Sequence, residues 1–188
     1  MNDRRLLLQS LPNLITLARL LAVPVAVWLI VTDHFAIAFW LFVAAGLSDA
    51  LDGYLARRLR SRSLLGTYLD PLADKALLTS VYVSLGYVEE MPKWLVILVV
   101  FRDVLIIGGA ILYQTLTQRL KMEPLFISKV NTAAQIVLAA LILARRGLAI
   151  DADGIEMALI FVVAATTLLS GGAYIVRWGW RIAHIESQ

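Results

Sequence analysis

The sequence predicts an all-α polytopic membrane protein built from six transmembrane helices. The first observation is composition. The 188 residues are 60% hydrophobic and only 16% charged, with mean hydropathy +0.79, whereas a soluble domain is near half apolar and about a quarter charged. A soluble chain of this size cannot hide so much apolar surface. The second is segmentation, because the apolar residues fall into runs of about 20, the length that crosses a hydrocarbon core of about 30 Å. The third is the crowding of Lys and Arg into alternate connections. The same numbers exclude disordered, collagen-like and nucleic-acid-binding proteins. Cysteine is absent and only His34 and His184 are present, which excludes disulfides, thiolate metal sites and a histidine-rich metal site.

Six spans follow in order, at roughly 14–32, 35–57, 66–88, 93–116, 127–145 and 156–178. The first is interrupted by Asn13, Thr16 and Arg19, which argues against a cleaved signal peptide. The second runs into the basic stretch Arg57, Arg58, Arg60 and Arg62. The third contains Pro71 directly after Asp70. Proline is tolerated in a first helical turn, so the third helix is expected to begin near Asp70, with the anion-friendly end of its dipole beside a ligand. The fourth carries Arg102 and Asp103, and the fifth opens near Lys129. Trp28, Trp40, Trp94, Trp178 and Trp180 suit interfacial belts or packing. The connections are short and no composition shift marks a second domain, so residues 1–188 read as one membrane domain.

The basic residues fix an orientation. Arg4, Arg5, Arg57, Arg58, Arg60, Arg62, Arg119, Lys121, Lys129, Arg177 and Arg181 fall on one side. Lys93, Arg145 and Arg146 fall on the other, with Glu89, Glu90, Asp151, Asp153 and Glu156. Both termini are therefore expected in the cytoplasm. Arg19, Lys75 and Arg102 lie inside spans.

Ionisable residues inside a membrane are costly and mark function. Asp49, Asp52, Asp70 and Asp74 lie within 26 residues, near the cytoplasmic ends of the second and third spans. Spacings of i, i+3 and i, i+4 put each pair on one helix face. Four carboxylates brought together repel unless a positive charge sits among them. Oxygen donors without His or Cys favour a hard cation, Mg²⁺ or Mn²⁺, and two such ions would form a clamp suited to phosphoryl chemistry. Any single Asp could instead pair with Arg57, Lys75 or Arg102. Gly53, Ala56 and Gly66 lack bulk, which lets a flat ligand or another backbone approach; small-residue helix packing explains each of them equally well.

Read as a string, Asp49-x-x-Asp52-Gly53-x-x-Ala56-Arg57, eight residues, Gly66, three residues, Asp70, three residues, Asp74 resembles, position for position, the signature of the CDP-alcohol phosphotransferases. The resemblance implies a six-helix membrane enzyme, usually a homodimer, with an active-site cavity facing the cytoplasm. Such enzymes move a phosphatidyl or related group from a CDP-linked donor to an alcohol and release CMP. Carried over to this sequence, Asp49, Asp52, Asp70 and Asp74 would hold two divalent cations, Mg²⁺ or Mn²⁺. Asp74 would also be the catalytic base. Asp52, Gly53, Ala56, Arg57 and Gly66 would bind the CDP part of the donor, with Arg57 on the pyrophosphate.

Acceptor choice is read elsewhere. Leu11-Pro12-Asn13-Leu14-Ile15-Thr16-Leu17-Ala18-Arg19 resembles the start of the phosphatidylglycerophosphate and cardiolipin synthase branches. Phosphatidylglycerophosphate synthases show Arg-Glu in span four, a second Arg eight residues on, and Gly-Lys-x-Lys-Thr before span five. This chain has Arg102-Asp103, Ala110 and Asn131-Thr132 there. Arg-Asp-Val and Ile-Ser-Lys-Val-Asn-Thr with a following Gln are more similar to the CMP-forming cardiolipin synthases. The expected reaction is therefore transfer from CDP-diacylglycerol to phosphatidylglycerol, in a bacterial or mitochondrial inner membrane. Arg102 and Lys129 are the acceptor-phosphate candidates. Glycerol 3-phosphate is the alternative acceptor. Arg102 could instead pair with Asp103 or a motif carboxylate, and Lys129 could snorkel to the interface. An ion-coupled transporter is the remote alternative: it predicts charges spread through the bilayer depth and internal repeats, and neither pattern is present.

Overall fold

The computed structural model describes the backbone of residues 3–59, 64–117 and 125–185, and the side chains of residues 16–49, 73, 75–109, 125–152 and 154–177. Six α-helices account for the regular structure of those residues: α1 Asp3–Val31, α2 Phe35–Leu59, α3 Leu64–Tyr87, α4 Lys93–Thr117, α5 Phe126–Leu148 and α6 Asp153–Ile185. Every expected span maps onto one helix. The all-α expectation therefore holds. The largest difference is at the start, where α1 begins at Asp3. Its first turns carry charge that a hydropathy ruler leaves out, but backbone hydrogen bonding is indifferent to that polarity. α3 also departs from expectation. It starts at Leu64, so Pro71 lies well past its first turn and its N-terminal end is not beside Asp70. The helix continues through the proline at the loss of one backbone hydrogen bond.

Three connections end their helices the same way. Asp33 (φ 60°), Glu89 (φ 64°) and Ala149 (φ 54°) each adopt the left-handed conformation, which reverses the chain after α1, α3 and α5. After α1 the His34 N–H donates to the Leu29 carbonyl at 2.8 Å and the Asp33 N–H to the Ile30 carbonyl at 3.2 Å. This pair of bonds is the Schellman cap, which satisfies carbonyls a helix end leaves orphaned. The Glu90 N–H makes the equivalent bond to Leu85 after α3, at 2.9 Å.

The chain divides into two compact units, Met1–Glu90 with Ala139–Asp151, and Met91–Leu138 with Ala152–Gln188. In the first, α1 packs against both α2 and α3. Ile30, Phe42, Tyr82, Leu85 and Ile142 are among its buried side chains. Glu90 is clamped by Arg145 at 3.0 Å and Arg146 at 2.9 Å, and the Arg146 guanidinium also stands over the Phe35 ring. Gly147 passes so close to α2 that a Cβ there would fall 2.5 Å from the Ala36 nitrogen. In the second unit α4 packs against α6.

All six helices bear large exposed apolar side chains, among them Leu21, Trp40, Tyr87, Ile97, Val137 and Leu168. Water would not tolerate so extensive an apolar exterior. Among the described residues, Phe126–Leu148 and Gly154–Arg177 are each long and apolar enough to cross a membrane.

Candidate active site

The sequence places Asp49, Asp52, Gly53, Ala56 and Arg57 on α2 and Gly66, Asp70 and Asp74 on α3. Unbroken helix through both stretches keeps Asp49 and Asp52 one turn apart, and Asp70 and Asp74 likewise. All eight positions belong to the first unit. Asp49 has a described side chain; those of Asp52, Gly53, Ala56, Arg57, Gly66, Asp70 and Asp74 lie outside the described residues.

Among the described residues the partner of Asp49 is Arg19, which the sequence does not single out as one. The Asp49 Oδ1 accepts an ion pair from Arg19 Nη1 at 3.0 Å, across from α1. The two ends are unequally placed: the Arg19 side chain is 2% exposed and that of Asp49 is 46% exposed. A cation held in the packed interior thus meets a carboxylate that solutes can reach. Thr16, one turn before Arg19 on α1, is also buried. The sequence shows Arg19 as a charge inside the first span and does not indicate its role. The signal was available, since an arginine in an apolar run demands a partner, but its partner depends on how α1 lies against α2.

The donor chemistry fits a hard divalent cation. Asp49 offers an accessible carboxylate oxygen, and the other three acidic residues share its helix turn or recur one turn apart on α3. No nitrogen or sulfur ligand accompanies them in the stretch. Among the described residues no three acidic or histidine side chains gather to hold a metal.

Arg102 lies in the second unit, on α4, and is 3% exposed. Its Nη1 donates to Asp103 Oδ1 at 2.7 Å. Nε donates to Ser170 Oγ on α6 at 3.2 Å, and Nη2 donates to both Ser128 Oγ on α5 and Ser170 Oγ. Of the two partners foreseen for Arg102, the structure selects its neighbour Asp103. Lys129, the other expected acceptor ligand, is exposed.

One turn beyond Ser128 on α5, Asn131 is fully buried. Its Oδ1 accepts hydrogen bonds from Thr166 at 2.8 Å and Thr167 at 2.9 Å, and its Nδ2 has no partner among the described residues. Towards the start of α5, the Leu125 N–H approaches the Tyr174 hydroxyl at 3.5 Å. The contacts run antiparallel, with residues advancing along α5 as they retreat along α6. Burying the guanidinium, the hydroxyls and the amide oxygen in this way is tolerable because they bond one another; the Asn131 Nδ2 is an exception.

A helical chain with paired carboxylates on successive helices and a polar seam among later ones matches the family model of the CDP-alcohol phosphatidyltransferases over residues 9–169, and the chain belongs to that family. It is similar to a fission yeast (Schizosaccharomyces pombe) cardiolipin synthase (CMP-forming)/mitochondrial hydrolase fusion protein, 36% identical over 182 residues, covering 89% of this chain and 31% of the relative. It is 42% identical over 153 residues to the human cardiolipin synthase (CMP-forming), covering 72% and 50%. It is 35% identical over 187 residues to a chloroplastic CDP-diacylglycerol–glycerol-3-phosphate 3-phosphatidyltransferase of rice (Oryza sativa), covering 90% and 57%. The chain thus spans between 31% and 57% of the length of these relatives.

Proposed function

We propose that the protein transfers the phosphatidyl group of CDP-diacylglycerol to a headgroup hydroxyl of phosphatidylglycerol, giving cardiolipin and CMP. Family membership supports the donor. The observation that carries the acceptor is Asn131, a neutral amide buried between two threonine hydroxyls where the alternative branch places a lysine. Glycerol 3-phosphate is a monoester near charge −2 and profits from several fixed cations, whereas phosphatidylglycerol is a diester at −1 and needs fewer. Likeness to the rice enzyme keeps glycerol 3-phosphate as the second reading.

In this reading Arg57 binds the donor pyrophosphate, while Asp52, Gly53, Ala56 and Gly66 line the cytidine subsite. Asp49, Asp52, Asp70 and Asp74 hold two divalent cations, Mg²⁺ or Mn²⁺, whose chemistry is to offset charge on the transferred phosphoryl group and on departing CMP. Asp74 accepts the proton of the attacking hydroxyl. The hydroxyl oxygen forms a bond to the β-phosphorus as the bond from that phosphorus to the bridging oxygen breaks, and CMP leaves with the electron pair. Lys129 orients the acceptor phosphodiester, and Arg102, already bonded to Asp103, Ser128 and Ser170, adds fixed positive charge to the acceptor subsite.

All six helices cross the bilayer in this reading, as one domain of residues 1–188 that acts as a homodimer. Both termini and the active site face the cytoplasm or its equivalent. Labelled CDP-diacylglycerol offered with phosphatidylglycerol or with glycerol 3-phosphate tests the acceptor. Labelled cardiolipin is the expected product. Phosphatidylglycerophosphate from glycerol 3-phosphate, with no cardiolipin, would replace the acceptor and leave the family reaction intact. A cysteine at Ser61 should react with an impermeant thiol reagent only once the cytoplasmic side is opened.

A further inference from the structure

We infer that Arg19 is a positioning residue for the metal centre: it fixes the carboxylate of Asp49 in the orientation that binds a divalent cation. This rests on the reading that the four aspartates hold such cations. The inference begins with placement. α1 packs against both α2 and α3, the two helices that carry all four aspartates, and it delivers one buried guanidinium to the first of them. Asp49 Oδ1 is held at 3.0 Å by Nη1 of a side chain that is itself only 2% exposed. A buried arginine has no room to change rotamer, so it acts as a rigid stop. The carboxylate it holds is nearly half exposed and would otherwise rotate freely about its terminal torsion. Pinning one oxygen stops that rotation and fixes where the other can present itself. Outer partners of metal-ligating groups act in this way, and their loss commonly weakens metal binding by about 10- to 100-fold.

The alternative roles of Arg19 predict different results. A cation that served only as a counter-charge would compete with the metal, and its removal would tighten metal binding. A cation that only joined α1 to α2 would leave the affinity of the folded protein unchanged.

The test measures Mn²⁺ binding directly, from the electron paramagnetic resonance signal of free Mn²⁺. It uses the full-length protein in detergent micelles without lipid substrate, and compares wild type with Arg19→Met and Arg19→Lys. The Mn²⁺ dissociation constant is expected to rise about 10-fold or more for Arg19→Met. Arg19→Lys should fall between, because it keeps the charge and loses the planar fork. Mn²⁺ dependence of CMP release should shift in parallel. Unchanged or tighter binding in both variants would overturn the inference. Should Arg19→Met fail to fold, Arg19→Lys alone decides by the same criterion. Wild-type protein that binds no Mn²⁺ would defeat the metal reading and the inference with it, an outcome distinct from wild-type binding that the variants leave untouched.

Discussion

Arg102 and Asp103 form an ion pair of 2.7 Å although they are consecutive residues of one helix. Neighbouring side chains on a helix diverge by about 100°, so the long arginine must fold back to reach the aspartate. The two serines that flank it from α5 and α6 hold it in that bent form. Asp103→Asn would leave a buried guanidinium without its charge partner. Loss of one member of a buried pair costs about 3–5 kcal/mol, and the thermal midpoint in detergent should fall by many degrees. A midpoint equal to wild type would show that the pair contributes little.

Ser128→Ala and Ser170→Ala remove acceptors from the same guanidinium without touching its charge. A hydrogen bond to a charged group is worth about 1.5–3 kcal/mol. If Arg102 adds fixed positive charge to the acceptor subsite, each variant should raise the apparent KM for phosphatidylglycerol about tenfold in mixed micelles, and leave that for CDP-diacylglycerol near wild type. Equal changes for both lipids would count against an acceptor role.

Gly147→Ala tests the close approach of α5 to α2. The added Cβ would meet the Ala36 nitrogen at 2.5 Å and the Phe35 carbonyl carbon at 2.7 Å, and backbone cannot swing aside as a flexible side chain can. Overpacking of this kind costs about 1–3 kcal/mol. Gly172→Ala is the control: nothing lies within 4 Å of its Cβ, and helix propensity alone favours Ala by about 1 kcal/mol. The two thermal midpoints should move in opposite directions.

Ala149→Gly should stabilise. The left-handed conformation at φ 54° costs an L-residue roughly 1–2 kcal/mol, and glycine escapes most of it. Its own greater backbone entropy in the unfolded chain offsets part of the gain. A rise of a few degrees is expected, and a fall would argue that the α5–α6 turn is not strained.

Chelation should abolish CMP release, and Mg²⁺ or Mn²⁺ should restore it. Full activity in excess EDTA would remove the cations from the proposed chemistry.

Much of the architecture was legible in the sequence because hydropathy is additive along a chain. Six apolar runs gave six helices, and fixed spacing placed Asp49 and Asp52, and Asp70 and Asp74, one turn apart. The start of α1 was not legible, since the charged residues before Asn13 continue the helix beyond the apolar run. Pro71 misled in the other direction: a propensity read locally suggested a helix start, and the surrounding helix overrode it. Partners were the least legible. Arg19 with Asp49, Glu90 with Arg145 and Arg146, and Asn131 with Thr166 and Thr167 are far apart in sequence, and only the packing of one helix on another selects them. The distribution of charge along the sequence places Glu90, Arg145 and Arg146 at the same membrane face but does not pair them.

The seam between α5 and α6 also solves a problem of alignment. In hydrocarbon, one leucine face slides over another with almost no penalty, because lipid tails are as apolar as the helices themselves. Asn131 against Thr166 and Thr167 acts like a key in a shaft, since a slip of one helical turn towards the start of α6 would leave the asparagine oxygen facing Val162 and Val163. Arg102 takes two of its supports from these same helices, at Ser128 and Ser170. The depth at which this guanidinium rests is therefore indexed by three uncharged side chains one turn away.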